Sequence, residues 1–113
     1  FARNAYLTIF STSSIAKGGK ISSIVPMVSH VDHTEHDTMI IVTEQGVADL
    51  RGLSPKEKAN LIIENCVHPD FKEQMRDYFN RACEVCQSCH TPHILEEALS
   101  WHANFVETGT MKK

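Results

Sequence analysis

Long apolar runs are missing from this sequence of 113 residues. No stretch approaches the roughly 20 consecutive apolar residues that a membrane-spanning helix needs, so we expect no membrane partner. Basic clusters are missing as well, because eleven Lys and Arg residues are scattered among fourteen Asp and Glu residues, for a net charge of −3. Nucleic-acid-binding domains usually carry a basic patch, and we therefore expect no nucleic acid partner.

The sequence also lacks internal repeats, low-complexity tracts and a signal pattern at its first residues. Its length leaves room for one compact unit. Because Phe1 is not a translation start, we expect a piece of a longer polypeptide, from its C-terminal end. Without a secretion signal, the four cysteines are expected to be reduced thiols in the cytoplasm, or in a mitochondrial or hydrogenosomal matrix; they are Cys66, Cys83, Cys86 and Cys89.

The first half of the chain has the composition of strands. Aromatic and β-branched residues predict strands at 5–10, 21–28 and 39–43. Between the first two, Gly18 and Gly19 predict a tight turn.

The second half has the signals of helices. Ser54-Pro55-Lys56-Glu57 combines an N-cap, an N1 proline and a capping-box glutamate, so a helix is predicted from there to about Asn65. His68-Pro69-Asp70 predicts a second helix, and Thr91-Pro92 a third that ends at Gly109. We therefore predict an α/β fold, part of an open mixed or parallel sheet with covering helices, in which residues 1–53 are strand-rich and 54–113 form a helical tail. Three strands cannot complete such a sheet, so the missing strands must come from the parent chain.

Glu44 is the first candidate functional residue. It follows the buried-strand pattern of Met39 to Thr43, and Gly46 two residues later indicates a sharp exit from that strand. The ends of strands are where α/β proteins keep reactive groups. A lone glutamate in this position would still be read as a solvated carboxylate.

Four sequence blocks in the same order resemble the acetyl-CoA hydrolase/transferase family, the class I coenzyme A transferases. Residues 43–53 (TEQGVADLRGL) resemble its TE-x-G-x-ADLRG signature, and 11–26 its ST-x-AKGGKIS-x-IVP stretch. Residues 67–71 (VHPDF) are similar to its Ala-His-Pro block, and 91–102 (TPHILEEALSWH) to the C-terminal tail of the succinyl-CoA:acetate transferase branch.

The resemblance implies an enzyme of two related α/β domains, with this chain as the C-terminal part of the second. It implies transfer of coenzyme A between a short acyl-CoA (acetyl-, propionyl- or succinyl-CoA) and a carboxylic acid, in a homodimer with no permanently bound cofactor. In the family a glutamate attacks the thioester and then carries coenzyme A as a glutamyl thioester. That glutamate lies upstream and has no match here, so we expect this piece alone to be inactive.

The resemblance also assigns site residues. Glu44 matches an accessory active-site carboxylate that contacts the nucleophile, so we expect the two carboxylates to share a proton, with at least one pKa raised. Gly46 is interpreted as the residue that permits the turn, with close approach to a ligand as the lesser alternative. Lys17 matches a lysine that contacts coenzyme A. Gly18 and Gly19 would let the backbone pass near that ligand, and Lys20 is a weaker candidate for contact.

Other functions stay open. Acyl-CoA hydrolysis needs only water in place of the acceptor acid, and a non-catalytic assembly segment is a further alternative. Cys83-x-x-Cys86-x-x-Cys89-His90 has the spacing of a haem or metal-binding module. A second cluster of possible metal ligands lies in a loop, where spacing fixes no common face: His30, Asp32, His33, Glu35, His36 and Asp37. We expect neither cluster to be a metal site.

Overall fold

A mixed sheet, a small hairpin and three helices form the part of the chain that the structure describes. The structure is a computed structural model and describes residues 7–28, 31, 38–86, 88–89 and 91–112. Within these ranges the elements are β1 (Ile9–Ser11), β2 (Ile15–Ala16), β3 (Ile21–Ser22), β4 (Ile40–Thr43), β5 (Gly46–Asp49), α1 (Pro55–Cys66), α2 (Pro69–Val85) and α3 (Ser100–Thr108). The predicted α/β class is confirmed.

Strand β4 is the centre of the three-stranded sheet, whose order is β1-β4-β5. β1 runs parallel to it, with Ile9 opposite Ile40, and β5 runs antiparallel, with Thr43 opposite Gly46. The sheet is therefore mixed, as predicted. β2 and β3 form a separate antiparallel pair.

The two faces of the sheet have different environments. Because side chains alternate along a strand, Thr43 and Ala48 share one face, where they are buried against α1. Ile9 and Val47 lie on the opposite face and are 54% and 53% exposed. In the described residues, therefore, the helices cover one face of this sheet.

The first two helices begin where the sequence predicts. Ser54 caps α1 in a complete capping box, since its hydroxyl accepts from the Glu57 amide and the Glu57 carboxylate accepts from the Ser54 amide. His68 caps α2 through Nδ1, which accepts from the Asp70 amide at 3.1 Å. No helix in the described ranges has the length and apolarity that crossing a bilayer would require.

The helices pack around an aromatic pair. The rings of Phe71 on α2 and Trp101 on α3 lie 5.7 Å apart, and both side chains are almost fully buried. Such pairs add roughly 0.5–1.5 kcal/mol beyond the burial of their area. The remaining buried members of this cluster are Ile63, Val67, Met75 and Met111.

Two strand predictions need correction. The strand predicted at 21–28 ends at Ser22, whose hydroxyl donates to the Ile24 carbonyl, while Ile24 and Val25 pack against the helical core. Strand β5 was not predicted at all, because Gly46 was interpreted as an exit from the sheet. The predicted first strand is confirmed at Ile9 and Phe10, and its first two residues lie outside the described ranges.

The predicted start of the third helix is wrong by several residues. Residues 95–99 form turns, and α3 begins at Ser100. Local bonds hold these turns, because the Glu97 amide donates to the Ile94 carbonyl and the Ser100 amide donates to the Glu97 carbonyl, both at 2.9 Å. The segment also contacts α2, since the Ile94 amide donates to the Tyr78 hydroxyl and Arg81 pairs with Glu97. The predicted stop is confirmed, because Gly109 caps α3 with a φ of 83°.

The prediction of reduced cysteines is wrong for one pair. Cys86 and Cys89 form a disulfide, with their α-carbons 5.4 Å apart. Cys86 ends α2, and the Cys89 amide donates to the Cys86 carbonyl at 3.3 Å, so this turn brings the two side chains to bonding distance. Cys66 and Cys83 are free thiols, as predicted.

Candidate functional site

Glu44 lies in the turn between β4 and β5. The turn is anchored through Thr43, whose hydroxyl donates to the Cys66 carbonyl at 2.8 Å and accepts from the Gln45 amide at 3.2 Å. Thr43 is buried, and its bond to the Cys66 carbonyl forms away from solvent. The anchor fixes the position of the Glu44 backbone against the end of α1.

The side chain of Glu44 is held by Ser14. The Ser14 amide lies 3.1 Å from Oε1 and 2.9 Å from Oε2, and the Ser14 hydroxyl donates to Oε1 at 2.6 Å. Ser14 is completely buried, whereas Glu44 is exposed. The carboxylate is therefore accessible to a ligand and yet fixed in orientation by a buried partner.

These bonds change the acidity of Glu44. The Ser14 hydroxyl first, and then the Ser14 amide, lower the pKa of the carboxyl below its ordinary value, because both donate to the charged form. Desolvation opposes them, and the electrostatic effect of His68 adds a smaller lowering of the pKa of Glu44. The expected raised pKa is thus not found at Glu44 itself, where the structure favours the ionised form.

Gly46 has a different role from the one that the sequence predicts. The glycine lies in β5, and its φ is not positive, so the turn does not require it. A β-carbon at this position would lie 2.6 Å from the Asn65 carbonyl oxygen. Gly46 therefore permits close packing of β5 on the end of α1, and the turn interpretation is wrong.

The Lys17 segment forms the predicted tight turn. Lys17, Gly18 and Gly19 have φ values of 56°, 67° and 91°, a conformation that glycine adopts freely and lysine rarely. The Lys17 side chain is exposed. The Lys20 carbonyl accepts from the Met111 amide at 2.7 Å, so the backbone of Lys20 has a structural contact.

The structure links the two predicted site segments through a residue that the sequence analysis did not single out. Ser14 directly precedes β2, which leads into the Lys17 turn. Lys17 and Glu44 themselves share no hydrogen bond or ion pair in the described residues. Glu44 lines a shallow, open concavity together with Val42, Thr43 and residues 11–13. The Ser14–Glu44 contact joins residues that lie 30 positions apart in the sequence. The only sequence signal for it is the Ser-Thr-Ser-Ser run of residues 11–14.

Arg51 forms a local pair with Asp49, two positions earlier in the chain. Its guanidinium donates from Nε to Asp49 Oδ1 at 2.9 Å and from Nη2 to Oδ2 at 2.7 Å. These bonds lower the pKa of Asp49 to about 2. Both side chains are about half exposed, so this surface pair supports the segment after β5 without contacting Glu44.

The metal and haem alternatives gain no support. Within the described residues, no three His, Cys, Asp or Glu side chains are grouped to hold a metal ion. Two of the three cysteines in the Cys83–Cys89 spacing are joined to each other, which removes two thiolate ligands. His90 and the histidine loop of residues 29–37, apart from Val31, lie outside the described ranges.

A more enclosed cavity lies elsewhere, among the helices. Its volume is about 200 Å³, and its lining is mainly apolar. Tyr78 and His93 are among its polar lining residues, together with Lys56 and Thr91, and the Tyr78 hydroxyl lies 2.9 Å from His93 Nδ1. The cavity shares no residue with the Ser14–Glu44 site. We therefore assign the candidate site from the carboxylate geometry and not from cavity size.

Known proteins resemble this chain over nearly its whole length. A succinyl-CoA:acetate CoA-transferase of Clostridium kluyveri is 72% identical over 112 residues, which cover 99% of this chain and 21% of that protein. An acetyl-CoA hydrolase of Candida albicans is 50% identical over 120 residues, covering 99% of this chain and 23% of that protein. The chain thus spans about a fifth of the length of the curated relatives it matches.

A solved structure and a family model agree with these relatives. The crystal structure of RipA from Yersinia pestis superimposes with a TM-score of 0.57 at 41% identity, covering 61% of this chain and 16% of that one. The model of the acetyl-CoA hydrolase/transferase C-terminal domain matches residues 1–79. The chain therefore belongs to the acetyl-CoA hydrolase/transferase family.

Proposed function

We propose that the parent protein of this chain transfers coenzyme A between a short acyl-CoA, such as acetyl- or succinyl-CoA, and a carboxylic acid. The chain would form the C-terminal part of its second α/β domain. The observation that carries the proposal is the accessible Glu44 carboxylate, held by buried Ser14 three residues before Lys17. The 72% identity to a CoA-transferase supports this assignment.

The reaction follows the two-step scheme that the family resemblance implies. A glutamate outside this chain attacks the thioester carbonyl, and the carbon–sulfur bond breaks. This step forms a mixed anhydride and releases coenzyme A as a thiolate. The thiolate then attacks the glutamyl carbonyl and expels the first carboxylate, which leaves a glutamyl thioester. The acceptor carboxylate reverses these two steps and departs as the new acyl-CoA.

Glu44 would act on the nucleophilic glutamate through its charge. An ionised carboxylate beside a second carboxylate raises the pKa of that neighbour. A more basic carboxylate is a better nucleophile towards the thioester. The bonds from Ser14 favour the ionised form of Glu44, so Glu44 would keep its charge beside the deprotonated nucleophile.

Lys17 would contact the coenzyme A moiety. Its side chain is exposed at a turn where Gly18 leaves the backbone open, since nothing lies within 4 Å of a β-carbon built on that glycine. A flexible ammonium suits a phosphate or a pantetheine oxygen. Lys20 is the weaker candidate, because its described contacts are structural ones made by its backbone amide and carbonyl.

Acyl-CoA hydrolysis is the second candidate function, and the 50% identical hydrolase favours it. Acetyl-CoA supplied to the full-length protein with and without succinate separates the two. Transfer predicts that succinate converts the acetyl-CoA into succinyl-CoA and free acetate in equal amounts. Release of free coenzyme A at a rate that succinate does not change would establish hydrolysis and contradict transfer.

A further inference from the structure

Ser14 contacts Glu44 with both of its hydrogen-bond donors. The amide and the hydroxyl together make three contacts of 2.6–3.1 Å with the two carboxylate oxygens. Hydrogen bonds to a charged acceptor are shorter and stronger than neutral ones. Two donors from one residue also fix the plane of the carboxylate, which a single bond would leave free to rotate.

Both partners of this contact are attached to fixed backbone. The Ser14 carbonyl accepts from the Ser23 amide at 2.9 Å, which closes the β2–β3 hairpin around Ser14. Glu44 follows Thr43, which is anchored to α1 through Cys66. The Ser14–Glu44 contact therefore joins the hairpin that carries the Lys17 turn to the sheet that carries Glu44.

The difference in burial indicates more than a surface contact. Ser14 is fully buried, while Glu44 keeps its accessibility in the open concavity. A solvated glutamate has water for all its acceptors and gains little stability from a further donor. The arrangement instead restricts a reactive group to one orientation, which is how positioning lowers the barrier of a reaction.

We infer that Ser14 is a positioning residue for the transfer reaction, holding the Glu44 carboxylate in the orientation that faces the nucleophilic glutamate. The inference rests on the proposed accessory role of Glu44. No substrate contact is assigned to Ser14 itself. Its backbone continues into β2 and the Lys17 turn, so the same residue sets the spacing between the carboxylate and the coenzyme A contact.

The pH dependence of activity gives a readout that a merely structural role would not change. Loss of the Ser14 hydroxyl removes a donor to the charged form, so the pKa of Glu44 rises towards its ordinary value. Activity that needs ionised Glu44 is then lost at a higher pH as the solution is acidified. Among the described residues, His68 is the titratable group that also acts electrostatically on Glu44, and it is unchanged in this variant.

The test compares Ser14→Ala with Ser23→Ala in the full-length protein, using acetyl-CoA and succinate from about pH 3 to 8, a range that extends below the lowered pKa of Glu44. Ser23 is exposed and contributes only its amide to the hairpin. Ser23→Ala therefore removes a serine hydroxyl, as Ser14→Ala does, but leaves the contacts of Glu44 intact. For Ser14→Ala we expect kcat to fall about 10- to 100-fold, an acid limb at higher pH, and an unchanged KM for acetyl-CoA. Ser14→Thr, which keeps the hydroxyl, should retain the wild-type acid limb.

Three results would overturn the inference. The first is a Ser14→Ala protein whose acid limb and kcat equal those of Ser23→Ala. The second is a Ser14→Ala protein that loses activity equally at every pH, with its acid limb unmoved. The third is a Ser14→Thr protein whose acid limb is displaced like that of Ser14→Ala. Circular dichroism establishes that each variant is folded. If Ser14→Ala does not fold, the Ser14→Thr profile decides. An inactive wild-type protein would instead contradict the proposed function, so the two failures are distinguishable.

Discussion

The carbonyl oxygen of Asn65 lies 2.6 Å from the point that a β-carbon on Gly46 would occupy. Any side chain at this position would collide with the backbone of the last turn of α1. The Asn65 side chain strengthens the same contact, because its amide donates to the Val47 carbonyl at 2.9 Å. The hairpin that carries Glu44 is thus seated directly on the end of α1.

Gly46→Ala should separate this hairpin from α1. A backbone oxygen cannot retreat as a flexible side chain would, so we expect a loss of about 1–3 kcal/mol in the free energy of unfolding. Urea denaturation of the full-length protein measures the loss. Gln45→Ala, at an exposed position in the same turn, should change stability by less than about 0.5 kcal/mol. Equal stability of the two variants would contradict the packing explanation for Gly46.

Replacing Lys17 with glycine distinguishes the effect of backbone strain on stability from the effect of the ammonium on ligand binding. The φ of 56° at Lys17 costs a residue with a β-carbon roughly 1 kcal/mol. Lys17→Gly should therefore fold at least as stably as wild type and yet show a raised KM for acyl-CoA, because the ammonium is lost. Steady-state kinetics of the full-length protein, with Lys17→Arg as the charge-retaining control, tests this. An unchanged KM in Lys17→Gly would remove Lys17 from the coenzyme A site.

Alkylation distinguishes the three states of the cysteines. Without reductant, iodoacetamide should label Cys83 in the native protein and leave Cys86 and Cys89 unlabelled, because these two are joined. Cys66 is fully buried, and burial raises the pKa of its thiol, so its labelling should require unfolding. Peptide mapping before and after reduction measures the alkylation of each cysteine. Labelling of Cys86 without reductant would contradict the disulfide.

The starts of α1 and α2 were predictable from the sequence because their signals are local. Ser54 and Glu57 form the capping box that their spacing predicts, and His68 caps α2 immediately before Pro69. The start of α3 was not predictable, because residues 94–97 form turns that contact the Tyr78 hydroxyl and the Arg81 guanidinium of α2. Such tertiary bonds override the local signal at Thr91.

The candidate site was only half predictable for a similar reason. Glu44 and Lys17 lie in recognisable sequence blocks, and the predicted turn at Gly18 is present. The lowered pKa of Glu44 depends on Ser14, which lies 30 positions away. The role of Gly46 depends on Asn65, a contact that no spacing along the chain indicates. The sequence thus identified the reactive group but not the residues that hold it.

The central claim is that the Glu44 carboxylate takes part in coenzyme A transfer. The most direct measurement is the exchange of coenzyme A between acetyl-CoA and succinate in the full-length Glu44→Gln and Glu44→Ala proteins. Glu107→Gln, at an exposed position on α3, serves as the control. We expect both Glu44 variants to lose about 100-fold or more in kcat, while the control keeps the wild-type rate. Wild-type exchange in both Glu44 variants would contradict the account.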